Sequence, residues 1–258
     1  MFCTNEKPRL ARAHILPIGF FNKIETKGQV STYRTTGEKG RRLQKAIYDE
    51  QIICQDCEHT YFEPLDDYAI KVLRDKQGVI KTITHDKDKD NRLYIFDNID
   101  KKQLRHFFAS ILWRASISRQ LEVMSLSIGQ DYETRIRNDL LNDGPVNYID
   151  VFVTYLTEPM HNAFFLPYRK KFRPIDPKRD SQNINGWILQ FPNIHVLLSM
   201  DKRRLPNRIY AKLTDNNGLH ISTSIHPDTA QYKFVALEKK KDASQLSQII
   251  NSFIKSQK

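Results

Sequence analysis

The chain is poor in cysteine, with three in 258 residues, at positions 3, 54 and 57. That is too few for a disulfide framework. It points to thiols kept reduced or bound to metal, hence to a reducing compartment. No apolar run approaches the ~18 residues of a membrane-spanning helix, so no membrane partner is expected. The opening stretch MFCTNEKPRLARAHILP has no long apolar region and no small-residue cleavage pattern. No secretory leader is therefore expected, and the cytoplasm is the expected compartment. GxSxG, the P-loop and GxGxxG are missing, as are internal repeats and low-complexity tracts. What is present is a hydrophobic fraction of 40%, enough to build a core.

Acidic residues are also in short supply. Lys and Arg number 41 against 30 Asp and Glu, a formal charge of +11. The excess is clustered, which points to a polyanionic partner and above all to nucleic acid. One cluster is Lys202, Arg203 and Arg204 with Arg208. Another is YRKKFRPIDPKR, Tyr168 to Arg179, which holds Lys170, Lys171 and Arg173. Bases interleaved with aromatics and prolines suit an extended segment that tracks phosphates and stacks on bases. Arg41 and Arg42, in the loop TTGEKGRR, join these as candidate nucleic-acid contacts.

Pattern divides the chain into three parts, together an α+β fold. Residues 1–62 hold all the cysteines and only short β-like runs, a weak core that calls for a metal or another staple. Residues 63–145 read as a helical segment. EPLDDYAIKVLRD places Leu65, Tyr68, Ala69, Val72 and Leu73 on one stripe, with Pro64 in a first turn. KTITHDKDKDNRLYIFD reads as a loop or hairpin. DKKQLRHFFASILWRASIS is the clearest helix, with Asp100 and Gln103 as a capping box. DYETRIRNDLLND is a further helix closed by Gly144-Pro145. Residues 146–258 read as a mainly antiparallel β region, from strands such as YIDVFVTYL, GWILQF and NIHVLLSM. A terminal helix with Leu246, Ile249, Ile250 and Phe253 facing inward follows.

Cys54 and Cys57 form a CxxC pair. Redox chemistry would want a thioredoxin-like βαβ setting, which the upstream pattern does not supply. A structural zinc needs four ligands, and Cys3, His14 and His59 are the candidates to complete it.

AHILPIGFF (Ala13 to Phe21) followed by YDEQIICQDCE (Tyr48 to Glu58) resembles the HNH nuclease superfamily over about the first quarter of the chain. The resemblance implies a ββα-metal, treble-clef-like module that holds zinc. It implies a metal-dependent endonuclease using Mg²⁺ or Mn²⁺, acting on DNA more than RNA. A bacterial setting of antiviral defence or mobile elements goes with it, as does a protein partner for the β-rich region. His14 matches the HIxP histidine that polarises water in that family. Ala13 stands where a metal ligand is usual. Asp49 stands in place of the middle Asn, and Glu58 in place of the His or Asn after the knuckle, with His59 one step on. Three roles for His14 stay open. It is the catalytic base with Asp49 and His59 nearby, or it closes a Cys3-His14-Cys54-Cys57 zinc site, or it is a packed, hydrogen-bonded histidine. A chain that has lost the nuclease set would be a non-catalytic module binding nucleic acid or a protein.

Other polar residues carry plainer expectations. His106 sits in an apolar helix, solvent-facing or hydrogen-bonded. Trp113 reads as packing. Asp66 and Asp67 stand at a helix start, where carboxylates favour the dipole. HDKDKDN lacks the Gly and distal Glu of a calcium loop and reads as a solvated turn. His161, His195, His220 and His226 share no ligand spacing.

Overall fold

A computed structural model of the chain describes residues 2, 9–21, 30–31, 42–43, 47–84, 92–120, 123, 126–156, 165–172, 184–200, 211–212 and 219–224. The fold is α+β. Strand β1 (Ala13–His14) pairs antiparallel with β4 (Tyr48–Asp49), Ala13 opposite Asp49 and His14 opposite Tyr48. Between them, β2 (Val30–Ser31) and β3 (Arg42–Leu43) form a second small hairpin. Backbone bonds extend the first hairpin toward the cysteines. Ile15 N–H donates to Ile47 O and Ala11 N–H to Ile53 O, each at 2.9 Å, and Leu10 bridges Cys54.

Cys54, in extended conformation, is the N-cap of the helical run that follows. α1 (Gln55–Cys57) passes into a π-helical stretch, Glu58–Phe62, then α2 (Glu63–Ala69) and a second π-helical stretch, Ile70–Arg74. Helix therefore begins eight residues before the Glu63 start that the sequence pattern suggests. Pro64 is the cause of the discrepancy. It lies inside the run, where it lacks an N–H and its ring presses on the preceding turn. The turn just before it widens to π form, a common way to absorb such an insult.

α3 (Lys101–Ile117) is capped as the capping-box pattern requires. The Asp100 carboxylate accepts from Gln103 N–H at 3.0 Å and from the Gln103 side-chain amide at 3.1 Å. Asp100 N–H itself donates to Tyr68 Oη, which ties the cap to α2. α4 (Gln130–Leu141) completes the helical layer.

β5 (Val79–Thr84) and β6 (Arg92–Phe96) form a hairpin inside the helix-rich segment. They join one large sheet with β7 (Asp150–Leu156), β8 (Phe165–Phe172), β9 (Ile184–Phe191), β10 (Ile194–Ser199), β11 (Ala211–Lys212) and β12 (Leu219–Ser224). The order is β5-β6-β12-β7-β10-β9-β8, with β11 also on β7. All pairings are antiparallel except β12 with β7. β7 and β10 are buried on both faces, so their sequences run apolar without alternation. One face joins a core cluster that runs from Phe2 to Ile221, while Phe152, Ile188 and Leu197 form a second cluster on the other.

That shared core fixes the N-terminal hairpin. Phe2 is fully buried against Tyr61, Phe62 and Trp113, and its carbonyl accepts from Arg137 Nε at 2.7 Å. Phe20 stacks on Phe191 of β9 with ring centroids 4.2 Å apart. Gly19 leaves room for Ile70, where a Cβ would clash, and its carbonyl accepts from Arg74. Among the described residues, no helix is long and apolar enough to cross a membrane. The terminal helix and the HDKDKDN stretch lie outside the described residues.

Candidate functional site

The β1/β4 hairpin has two faces, and its polar side chains divide between them. Asp49 lies on the inner face, 2% exposed. Its Oδ1 accepts from Gln51 N–H at 2.8 Å. Its Oδ2 accepts from Ser118 Oγ at 2.7 Å and from Arg119 N–H at 3.2 Å. A carboxylate with three donors is a structural clamp, here between β4 and the end of α3. The position that the family resemblance offers to a metal thus already has its partners.

His14 lies on the outer face and is half-buried. Its ring meets Tyr48 edge-on, centroids 6.4 Å apart, and the Arg12 guanidinium lies 3.5 Å over the Tyr48 ring. Burial lowers the proton affinity of His14 from its usual value, and the charges of Arg114 and Arg12 lower it further. The imidazole is therefore neutral at ordinary pH, the form that can take a proton.

Beneath the hairpin sits a charge cluster built by two helices. Arg114, on the inward stripe of α3, is fully buried. It grips Asp66 of α2 in a two-pronged pair at 2.8 and 3.1 Å, and donates to His14 O at 2.8 Å and to Ser110 Oγ at 3.1 Å. Arg114 is what the sequence reading missed. A lone Arg between Trp113 and Ala115, seven positions after Phe107 and three after Ile111, falls on the core stripe, and a buried Arg needs a carboxylate. Asp66, in the first turn of α2, is that carboxylate. Burial raises its pKa, against the pull of Arg114.

Glu58 belongs to the same cluster. Desolvation raises its carboxyl pKa, with Arg114 opposing and Asp66 and Glu63 reinforcing. Its Oε2 is buried without a hydrogen-bond partner, as is Arg114 Nε. An orphaned carboxylate oxygen in such a field suits a proton or a hard cation. His59 is exposed and bonds Glu63 Oε2 at 2.7 Å. It faces solvent.

Cys54 and Cys57 are both buried at the start of the helical run, Cys54 as its extended N-cap and Cys57 three residues on, within the first helical turn. Cys3 lies outside the described residues. The bridge of Leu10 with Cys54 sets His14 four residues farther along, roughly 13 Å at ~3.3 Å per residue. Among the described residues, no group of three or more His, Cys, Asp or Glu is arranged to hold a metal.

Of the candidate nucleic-acid contacts, Lys171 is exposed on β8, an edge strand of the sheet, beside exposed Arg169. Arg42 and Lys170 are placed by backbone alone, on β3 and β8. Arg41, Arg173, Lys202, Arg203 and Arg204 lie outside the described residues. His106 is buried, its Nε2 2.7 Å from Gly144 O. Trp113 packs against Phe2 and Phe62.

Comparison with protein-family models, with curated proteins and with solved structures finds no match for this chain.

Proposed function

We propose that the protein acts on nucleic acid as a metal-dependent phosphodiesterase, with His14 as the group that takes a proton from the attacking water. One observation carries this reading. A neutral, half-buried imidazole sits on the outer face of a hairpin anchored by Arg114, and the same arginine acts on a carboxyl at Glu58 with an orphaned oxygen. The likeness of AHILP and the CxxC stretch to HNH nucleases, and the net charge of +11, support the same reading. The register sets His14 apart from Cys54, which favours the proton-transfer role over the zinc role.

The chain's own part is limited and specific. Arg114 holds the His14 carbonyl and so fixes the strand that presents the ring. Burial and nearby positive charge keep the ring nitrogen unprotonated and ready to accept. A divalent cation, when bound, stabilises the charge on the departing oxygen, and Glu58 Oε2 is the donor that the cluster offers it. Structural zinc on Cys54 and Cys57, with ligands beyond the described residues, is a further part of the proposal.

Plasmid nicking in Mg²⁺ or Mn²⁺ is the test. His14→Ala should lower cleavage roughly 10²–10⁴-fold and leave the melting temperature and zinc content of the parent. Loss of zinc together with stability would return His14 to the zinc site. The second reading, a non-catalytic module that binds nucleic acid or a protein, is favoured by Asp49, whose carboxylate is fully engaged. Binding without nicking in either metal would establish it.

A further inference from the structure

The outer face of the β1/β4 hairpin carries three side chains in a row. Arg12, the residue before β1, and His14 are two apart, and Tyr48, the cross-strand partner of His14, meets both. Arg12 is 53% exposed, and its guanidinium is laid flat on the Tyr48 ring at 3.5 Å. Among the described residues, its remaining charge contact is weak, Nε at 3.9 Å from exposed Glu50. A long, flexible side chain is thus held in one orientation at the surface, beside a neutral histidine.

We propose that Arg12, mounted on Tyr48, is a binding subsite for a single-stranded polynucleotide next to His14. This rests on the phosphodiesterase reading and adds to it the class of substrate. The chemistry follows from the guanidinium. With one face on Tyr48, its N–H groups point outward in their plane, and that fork matches two phosphate oxygens. Its other face, uncovered among the described residues, suits an unpaired base, which stacks on arginine planes as it does on aromatic rings. A paired base inside a duplex does not present its face in this way. The subsite therefore selects unpaired segments, and it sets a phosphate two residues along the chain from the imidazole.

Fluorescence anisotropy with labelled oligo(dT) and oligo(U) tests this, a blunt duplex of equal length serving as comparison. The His14→Ala protein is the background, so that cleavage does not interfere. On it, Arg12→Ala and Tyr48→Leu should each weaken single-strand binding about tenfold or more, with little change for the duplex. The salt slope of Arg12→Ala should become less steep by about 0.7. Arg12→Lys should keep the slope of the arginine protein and still lose affinity, because it keeps the charge without the plane. Circular dichroism confirms that each variant is folded. Unchanged binding in Arg12→Ala and Tyr48→Leu overturns the subsite, as does full affinity in Arg12→Lys. If nicking by the parent depends on His14 while these variants bind normally, the subsite alone fails. If the variants lose binding but the parent cuts nothing, the subsite stands and the phosphodiesterase reading fails. A preference for DNA over RNA, or the reverse, names the sugar.

Discussion

On the inner face of the N-terminal hairpin, the Asp49 carboxylate is buried under three donors from β4 and the end of α3. On the outer face, Tyr48 meets both Arg12 and His14, and all three are half-buried or exposed. One strand pair, two residues long on each side, carries both arrangements. A buried polar group with its full set of partners stabilises the structure, because removing any partner leaves an uncompensated atom. A polar group presented to solvent by rigid neighbours contributes little to stability and is free to meet a ligand. The number of partners, more than residue type, separates Asp49 from His14, and it separates Asp49 from the under-partnered Glu58 as well.

Arg114 tests the structural side most severely. It joins α3 to Asp66 of α2 and to the His14 carbonyl, with no exposure to water. Arg114→Met should destabilise the protein by roughly 3–5 kcal/mol, because Asp66 is left charged and buried without its counter-ion. Urea unfolding measures this directly. Adding Asp66→Leu should recover part of the loss, since no buried charge then remains alone. A cost under about 1 kcal/mol for Arg114→Met would remove the cluster as the anchor of the hairpin.

The two carboxylates sharpen the comparison at smaller amplitude. Asp49→Ala should cost about 1–3 kcal/mol through the donors it leaves behind, and cleavage should fall only as far as the folded fraction does. Glu58→Gln should behave in the opposite way. Burial holds the Glu58 pKa above its ordinary 4.5. Between those two values the folded chain keeps a proton that the unfolded chain has released, so stability falls as pH rises through that window. Glu58→Gln removes the penalty. The variant should be at least as stable as the parent at neutral pH, and the difference should vanish below pH 4.5. Thermal melts across pH 3–8 read this. Cleavage should suffer in Glu58→Gln and not in Asp49→Ala, and the reverse pattern would overturn the division of the two residues.

Much of the scaffold was legible in the chain. The α3 stripe and its Asp100 cap follow from helical spacing alone, and β7, β9 and β10 of the large sheet from β-branched and aromatic runs bounded by turn residues. The HIxP and CxxC stretches marked out the hairpin and the helical run that follows it. The site itself was less legible, because its anchors are long-range. Nothing in the order of residues says that Arg114 reaches back 100 positions to His14, or that Ser118 reaches 69 to Asp49. Local rules also left tertiary partners unread. Asp66 stands in the first turn of α2, and it also pairs with buried Arg114. His59 follows the knuckle in sequence, and its partner is Glu63.

The smallest expected effect probes the outer face alone. The proton affinity of His14 is lowered first by burial, then by Arg114, then by Arg12. Because the folded value lies below the ordinary 6.5, the unfolded chain takes up a proton first as pH falls. The His14 contribution to stability is therefore full above pH 6.5 and is lost as pH drops through the folded value. The acid limb of any His14-dependent cleavage should lie below 6.5 for the same reason. Arg12→Ala removes one positive neighbour and leaves burial and Arg114 in place. The His14 midpoint, followed by ring-nitrogen NMR, should rise and still fall short of 6.5, and the acid limb should move with it in the same direction. A midpoint that stays put would mean that solvent screens Arg12 from the imidazole. Arg12 and His14 would then share a face of the hairpin without sharing a field, and Arg114 would be the sole charge that tunes the ring.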